Sequence, residues 1–175
     1  MVELKTVFEK IVNRLDHPII AVETGCSFLW FEPNFTNLSS LNIIEYLVKP
    51  TNGALYSFDI SHSNIAVCIE ELSKRGLSSY YRNVVGDSVK MLESTVFNGV
   101  NFIWLDSCED ADHAVGEYHA AMKHVYGKHV VCIDDYGCPN SVKWTKVSKI
   151  LESKGYELSQ YDTPTGLLVG FKENK

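Results

Sequence analysis

Apolar residues Leu4, Val7, Phe8, Ile11 and Leu15 recur at the spacing of a helix with one apolar stripe, and the pattern stops before Asp16-His17-Pro18. The next run, IIAVET, is continuous rather than periodic, and its bounds at Pro18 and Gly25 predict a buried strand. After the polar stretch EPNFTN, Ser39 or Ser40 is placed to cap a helix whose apolar face is Leu41, Ile44, Leu47 and Val48, ended by Pro50, Asn52 and Gly53. The alternation then repeats: strand ALYSFD, helix 62–75, strand YYRNVV, helix 88–97, strand NFIWLD, helix 111–125, strand HVVCID and helix 140–154. Parallel neighbours need a crossover, and here every crossover is helical, so the pattern predicts a parallel sheet covered on both faces. The last two runs, YELSQYD and GLLVGFK, flank the turn cluster Thr163-Pro164-Thr165-Gly166 with no room for a helix, and should pair as an antiparallel hairpin. The expected fold is therefore a three-layer, Rossmann-like doubly wound α/β sheet of seven strands, a single domain over residues 1–175.

Composition narrows the partners. A chain of 175 residues with 45% hydrophobic content can build one sizeable core. Its formal charge of -6 argues against nucleic acid or an anionic membrane as the main partner. No apolar run reaches the roughly 18 residues of a membrane span, and MVELKTVFEKIVNRL lacks the apolar core of a signal peptide, so a cytoplasmic location is expected. The five cysteines are scattered; Cys68 and Cys132 sit in apolar runs and read as small core residues, and Cys138 is the best exposed candidate for a nucleophile, with little to support it.

The chemistry lies at the strand ends. In open parallel sheets ligands bind outside the carboxyl ends of the strands. Glu23, Asp59, Asp87, Asp106, Asp134 and Asp135 all fall there. Any one of them could simply be a turn or cap residue, and for Asp87 in GDSVKML capping and ligand binding read equally well. Together they repel one another unless a cation or several hydroxyl and amine donors occupy the rim. Gly25 resembles the opening of a dinucleotide loop, yet Cys26, Ser27 and Phe28 follow where further glycines would let a pyrophosphate approach. A ligand with an ammonium, a ribose diol and an adenine needs no such loop: Glu23 would take the amine, Asp59 the diol and Asp87 the exocyclic amine. S-adenosylmethionine is such a ligand.

These residues resemble the class I S-adenosylmethionine-dependent methyltransferases over about residues 19–172: VETG resembles the first motif, YSFDIS the ribose-binding strand end, VVGDS the adenine-side motif, and VNFIWLD and VVCIDDYG the fourth and fifth strands. Within that family, WLD followed by IDDYG is most similar to the metal-dependent O-methyltransferases of the macrocin type and, more distantly, the catechol type. The resemblance implies donor binding by Glu23, Gly25, Asp59, Ile60, Asp87, Ser88 and Asp106, magnesium held by Asp106, Asp134 and Asp135, and methylation of a small-molecule hydroxyl. Tyr136 would help to form the acceptor pocket, and Trp30 with Phe31 a lid over it, unless that segment only covers a sheet edge. The family's acid two residues beyond the fourth-strand aspartate is here Cys108, which leaves Glu109 or Asp110 to serve as base beside Asp106. The short chain leaves room for a homodimer to close the site.

Other readings stay open. His113 and Glu117, one helical turn apart, could share a metal, but no cysteine or further histidine has matching spacing, and with His124 they read as a solvated helix face; His113 could also reach the rim as an acid or base. A catalytically inactive or repurposed nucleoside-binding domain of the same fold is the main alternative, and a nicotinamide-dependent dehydrogenase is disfavoured by the loop at Gly25.

Overall fold

The computed structural model describes residues 1–26, 39–97 and 99–173. Helix α1 (Leu4–Val12) precedes β1 (Ile20–Thr24), and α2 (Ser39–Ile43) continues through a π turn at Ile44–Val48 and a 3-10 turn at Lys49–Thr51. There follow β2 (Ala54–Asp59), α3 (His62–Lys74), β3 (Tyr81–Val85), α4 (Ser88–Ser94), β4 (Val100–Leu105), α5 (Ala111–Met122), β5 (Val125–Asp134), α6 (Trp144–Ser153), β6 (Glu157–Tyr161) and β7 (Leu167–Lys172). The sheet has seven strands in the order β3-β2-β1-β4-β5-β7-β6. The first five run parallel, and β7 enters antiparallel between β5 and β6. This is the expected Rossmann-like α/β fold with a C-terminal hairpin. Among the described residues no helix is long and apolar enough to cross a membrane.

Strand alternation divides the core in two. Phe102, Trp104, Val130 and Cys132 face a cluster built on α1, α2 and α3, whereas Ile103, Leu105, Val131 and Ile133 face one built on α4, α5 and α6. Cys68 and Cys132 are buried in the first cluster, as expected of small core residues.

Three helix boundaries differ from the sequence reading for local reasons. Ser94 and Thr95 hydroxyls both donate to the Met91 carbonyl, and Thr95 turns extended, so α4 stops short of Phe97. Phe97 instead stacks on Tyr56 at 5.0 Å. Helix α5 ends before His124, whose ring nitrogens lie 3.1 Å from the Phe97 carbonyl and 2.9 Å from that of Leu92; β5 then begins early, Val125 pairing with Val100. Helix α6 starts at Trp144 rather than 140, because successive turns carry the chain from Asp135 to Lys143: Cys138 N–H donates to the Asp135 carbonyl and Ser141 N–H to that of Cys138. These turns decide the chemistry of the rim.

Candidate active site

The sheet changes winding direction between β1 and β4, and two cavities open at the carboxyl ends of the strands on either side of that point. The smaller, about 180 Å³, is lined by Gly25, Phe58, Asp59, Ile60, Gly86, Asp87, Ser88, Ser107, Cys108 and His113. Five of the seven residues expected to bind the methyl donor thus meet in one place. Asp59 is held rigidly: its Oδ2 accepts from the Cys26 amide at 3.0 Å and the Cys26 thiol at 3.2 Å, and its Oδ1 from the Ser61 amide at 2.6 Å. The adjacent Cys68 thiol, with burial, pushes the Cys26 thiol up, keeping it a donor. Ile60 stands 77% exposed at the cavity edge, an apolar surface on which a flat ring can lie. Asp87 Oδ1 caps α4 through the Lys90 amide at 3.0 Å, and the residue also lines the cavity.

Gly25 has φ +77°, and a Cβ there would lie 2.4 Å from the Asp106 carbonyl oxygen. The first glycine is therefore required by the close approach of the β1 loop to the end of β4, whatever the ligand. Its N–H donates to the Phe58 carbonyl at 2.7 Å, closing the loop on the β2 side as well.

Glu23 stands apart from both cavities. It was expected at the ligand's amine, but it is fully buried, lines neither cavity, and accepts from the hydroxyls of Ser39, Ser40 and Ser57. Ser39 and Ser40, expected as caps, lie inside α2 and tie that helix to β1. Burial pushes the Glu23 carboxyl up to about 7, against the opposing serine hydrogen bonds. A carboxyl raised on folding takes up protons as the chain folds, so its contribution falls as pH rises from its ordinary 4.5 through about 7. Relative to Glu23→Gln, the wild type should lose about 3 kcal/mol between pH 4 and pH 8. Urea unfolding of both proteins across that range would test this; a pH-independent difference would show that folding does not shift the Glu23 carboxyl.

The larger cavity, about 580 Å³, is lined by residues 1–5, Ser39, Asn42, Tyr46, Trp104, Asp106, Asp134, Asp135 and the Thr163-Pro164-Thr165 turn. The three acids expected to hold magnesium all reach it, but a lysine lies between two of them. Lys143 Nζ is 2.6 Å from Asp106 Oδ1, 2.8 Å from Asp135 Oδ2 and 3.8 Å from Glu109 Oε1, and its side chain is 2% exposed. Burial opposes its charge, but Asp106 and Asp135 outweigh burial and hold the ammonium above the ordinary lysine value. Asp135 reaches it from the left-handed region, at φ 56°, which aspartate tolerates better than most residues. Asp134 is turned elsewhere and accepts from Thr165 Oγ1 at 2.7 Å. Burial pushes the Asp106 carboxyl well up, and Asp134 adds to the push while Lys143 opposes it. Asp106 Oδ2 is buried with no hydrogen-bond partner among the described residues, as are Trp104 Nε1 and Thr163 Oγ1 on the same cavity.

The magnesium expectation does not fit this donor set. The space between the two carboxylates that would share the ion is filled by an ammonium, and among the described residues no three His, Cys, Asp or Glu side chains are arranged to hold a metal. Lys143 was missed because a single lysine in the polar stretch PNSVKW looks solvated. The available signal was indirect: a rim of acids that lacked a cation.

Several expectations land elsewhere. Glu109 lines neither cavity, and its side chain is 53% exposed. Tyr136 is not among the cavity residues; its ring packs on Trp144 at 4.9 Å and its hydroxyl accepts from Gln160 Nε2 at 3.0 Å. Trp30, and the lid assigned to it and Phe31, lie outside the described residues. Glu117, expected on a solvated face, is 1% exposed and accepts from Ser88 Oγ, with His113 Nε2 3.4 Å away and 3.0 Å from the same hydroxyl. Glu117 raises the His113 pKa against partial burial, so the pair braces Ser88 at the smaller cavity.

No protein-family description matches the sequence, and no curated protein matches it. Solved structures do match. A Clostridium thermocellum protein provisionally named an rRNA methylase superposes with a TM-score of 0.71 at 14% identity, covering 99% of this chain and 100% of that one. The O-methyltransferase TomG of Streptomyces achromogenes, solved with SAM, gives 0.70 at 15% identity over 99% and 82% of the two chains. SMU.1697c of Streptococcus mutans, solved with SAH, gives 0.70 at 13% identity over 98% and 99%. The chain therefore has the Rossmann-like fold found in S-adenosylmethionine-dependent methyltransferases.

Proposed function

We propose that the chain is an S-adenosylmethionine-dependent methyltransferase acting on a hydroxyl of a small molecule. The observation that carries this reading is the convergence of Gly25, Asp59, Ile60, Asp87 and Ser88 on one cavity, beside a larger cavity of 580 Å³ whose wall includes Asp106. Asp59 accepts the ribose hydroxyls and Ile60 packs on the adenine, while Asp87 and Ser88 face the base edge. The methyl donor then lies against the end of β4, where Asp106 belongs to the larger cavity and Ser107 to the smaller.

The reaction needs little beyond alignment. The acceptor oxygen forms a bond to the methyl carbon as the carbon–sulfur bond breaks, the sulfonium becomes a neutral thioether, and the acceptor proton is released. Asp106 Oδ2, free of partners, is the oxygen available to take a hydrogen bond from the acceptor hydroxyl. Trp104 Nε1–H and Thr163 Oγ1 supply further polar contacts on the same wall, and Trp104 with Tyr46 the apolar ones. Magnesium has no place between these carboxylates, because the Lys143 ammonium already pairs with Asp106 and Asp135.

Calorimetric titration with S-adenosylhomocysteine, S-adenosylmethionine and NAD is the direct test. Micromolar binding of the two sulfur compounds and none of NAD is expected. Asp59→Ala should weaken S-adenosylhomocysteine binding by at least about tenfold, the effect of losing a charged partner for two hydroxyls. Failure of both sulfur compounds to bind would instead favour the repurposed-domain reading, and unchanged affinity in Asp59→Ala would remove the ribose assignment.

A further inference from the structure

We propose that Lys143 is the built-in cation of the acidic rim: its ammonium stands between Asp106 and Asp135, at the position a divalent ion would take, and makes acceptor-side chemistry independent of metal. The placement stands on geometry alone; its meaning for methyl transfer rests on the function proposed above.

Three observations converge on Lys143. Its ammonium contacts both carboxylates at 2.6 and 2.8 Å while the side chain is 2% exposed, so it is no casual surface pair. The residue sits immediately before α6, and the turns from Asp135 through Cys138 and Ser141 fold the chain back so that the lysine and Asp135 belong to one short loop. The cation is thereby fixed in the same segment as one of the acids it serves. Finally, the contacts use one oxygen of each acid: Asp106 keeps Oδ2 without a partner, so the lysine holds that carboxylate without closing its other edge. A buried carboxylate pair without a counter-charge would repel and protonate. A divalent ion would meet the same need with two charges and open coordination positions. The lysine meets it with one charge and fixed donors, and therefore positions Asp106 rather than activating a bound hydroxyl. Lys143 is a positioning residue in this scheme.

The test is divalent-ion binding, which a merely structural lysine would not alter in kind. Chelator-treated wild type, Lys143→Met and Lys143→Gln would be titrated with Mn²⁺, followed by the loss of its free paramagnetic resonance signal. The wild type is expected to show no saturable site below about 1 mM. Each variant should gain at least about tenfold in affinity, because the ammonium that fills the ion's place is removed and the two carboxylates lose their counter-charge, and Asp135→Asn should abolish the gain. Saturable Mn²⁺ binding by the wild type in the micromolar range, lost in Asp135→Asn, would overturn the proposal. So would folded variants that gain nothing. If neither variant folds, the wild-type titration decides by itself. S-adenosylhomocysteine titration of the same wild-type sample in chelator reports the methyl-donor reading separately: absence of donor binding without an Mn²⁺ site would remove that reading and leave the assignment of Lys143 in place.

Discussion

Lys143→Met is expected to lower the unfolding free energy by about 3–5 kcal/mol at pH 7, the range for breaking a buried ion pair by deleting one partner. The lysine is the cation at 2.6 and 2.8 Å from Asp106 and Asp135, and without it the two acids lose their counter-charge while Asp134 still repels Asp106. The deficit should shrink as pH falls. Burial already pushes the Asp106 carboxyl well above its ordinary 3.8, with Lys143 opposing that push, so removing the lysine raises it further. A carboxyl raised on folding binds protons more tightly in the native state, and stability recovers as pH falls into that interval. The double variant with Asp106→Asn should recover part of the loss, since one of the unpaired charges is gone. Urea unfolding at pH 5 and pH 8 would measure both effects. A deficit that is the same at both pH values, or strictly additive single and double variants, would show that the lysine stabilises through its alkyl chain alone.

Gly25→Ala should be the most damaging single-methyl change on the donor side. Two independent obstacles meet there. The residue has φ +77°, a region that costs an L-residue about 1–2 kcal/mol, and the added Cβ would fall 2.4 Å from the Asp106 carbonyl oxygen and 2.7 Å from Ser107 Cα. Both neighbours are backbone and cannot swing aside, so the β1 loop must move away from β4. The amide of the next residue, Cys26, holds Asp59, and a shifted loop therefore disorders the carboxylate proposed to bind the ribose. A loss of at least about tenfold in S-adenosylhomocysteine affinity is expected, alongside a lower melting temperature. If Gly25→Ala binds and melts like the wild type, the close packing of that loop on β4 is not what the cavity depends on.

The fold was legible because its periodicities are local. Continuous apolar runs such as IIAVET and HVVCID can only be buried strands when helical stripes separate them, and the Thr163-Pro164-Thr165-Gly166 cluster leaves a hairpin as the sole connection. The lining of the smaller cavity was legible for the same reason, since a strand end fixes where Asp59 and Asp87 must stand. What could not be read depends on contacts between distant segments. Glu23 is an acid at a strand end like the others, and only the arrival of Ser39 and Ser40 on α2 turns it inward. Glu117 sits on a polar helix face that α4 happens to cover through Ser88. The start of β5 has no apolar run, and Val125 becomes strand only through its partner Val100. Lys143 was the least legible, because its burial is produced by a run of turns that no hydrophobic period records.

The end of β4 assigns consecutive residues to different cavities, Asp106 to the larger and Ser107 to the smaller. Beyond that boundary the loops divide cleanly: those after β2 and β3 line only the smaller cavity, while the β6–β7 turn lines only the larger. The two halves of the rim are consequently separable under selection. Substitutions or insertions in the Thr163-Pro164-Thr165 turn can reshape one chamber while Asp59 and Asp87 keep their surroundings, so a lineage built on this sheet can remodel the larger chamber and leave the smaller intact.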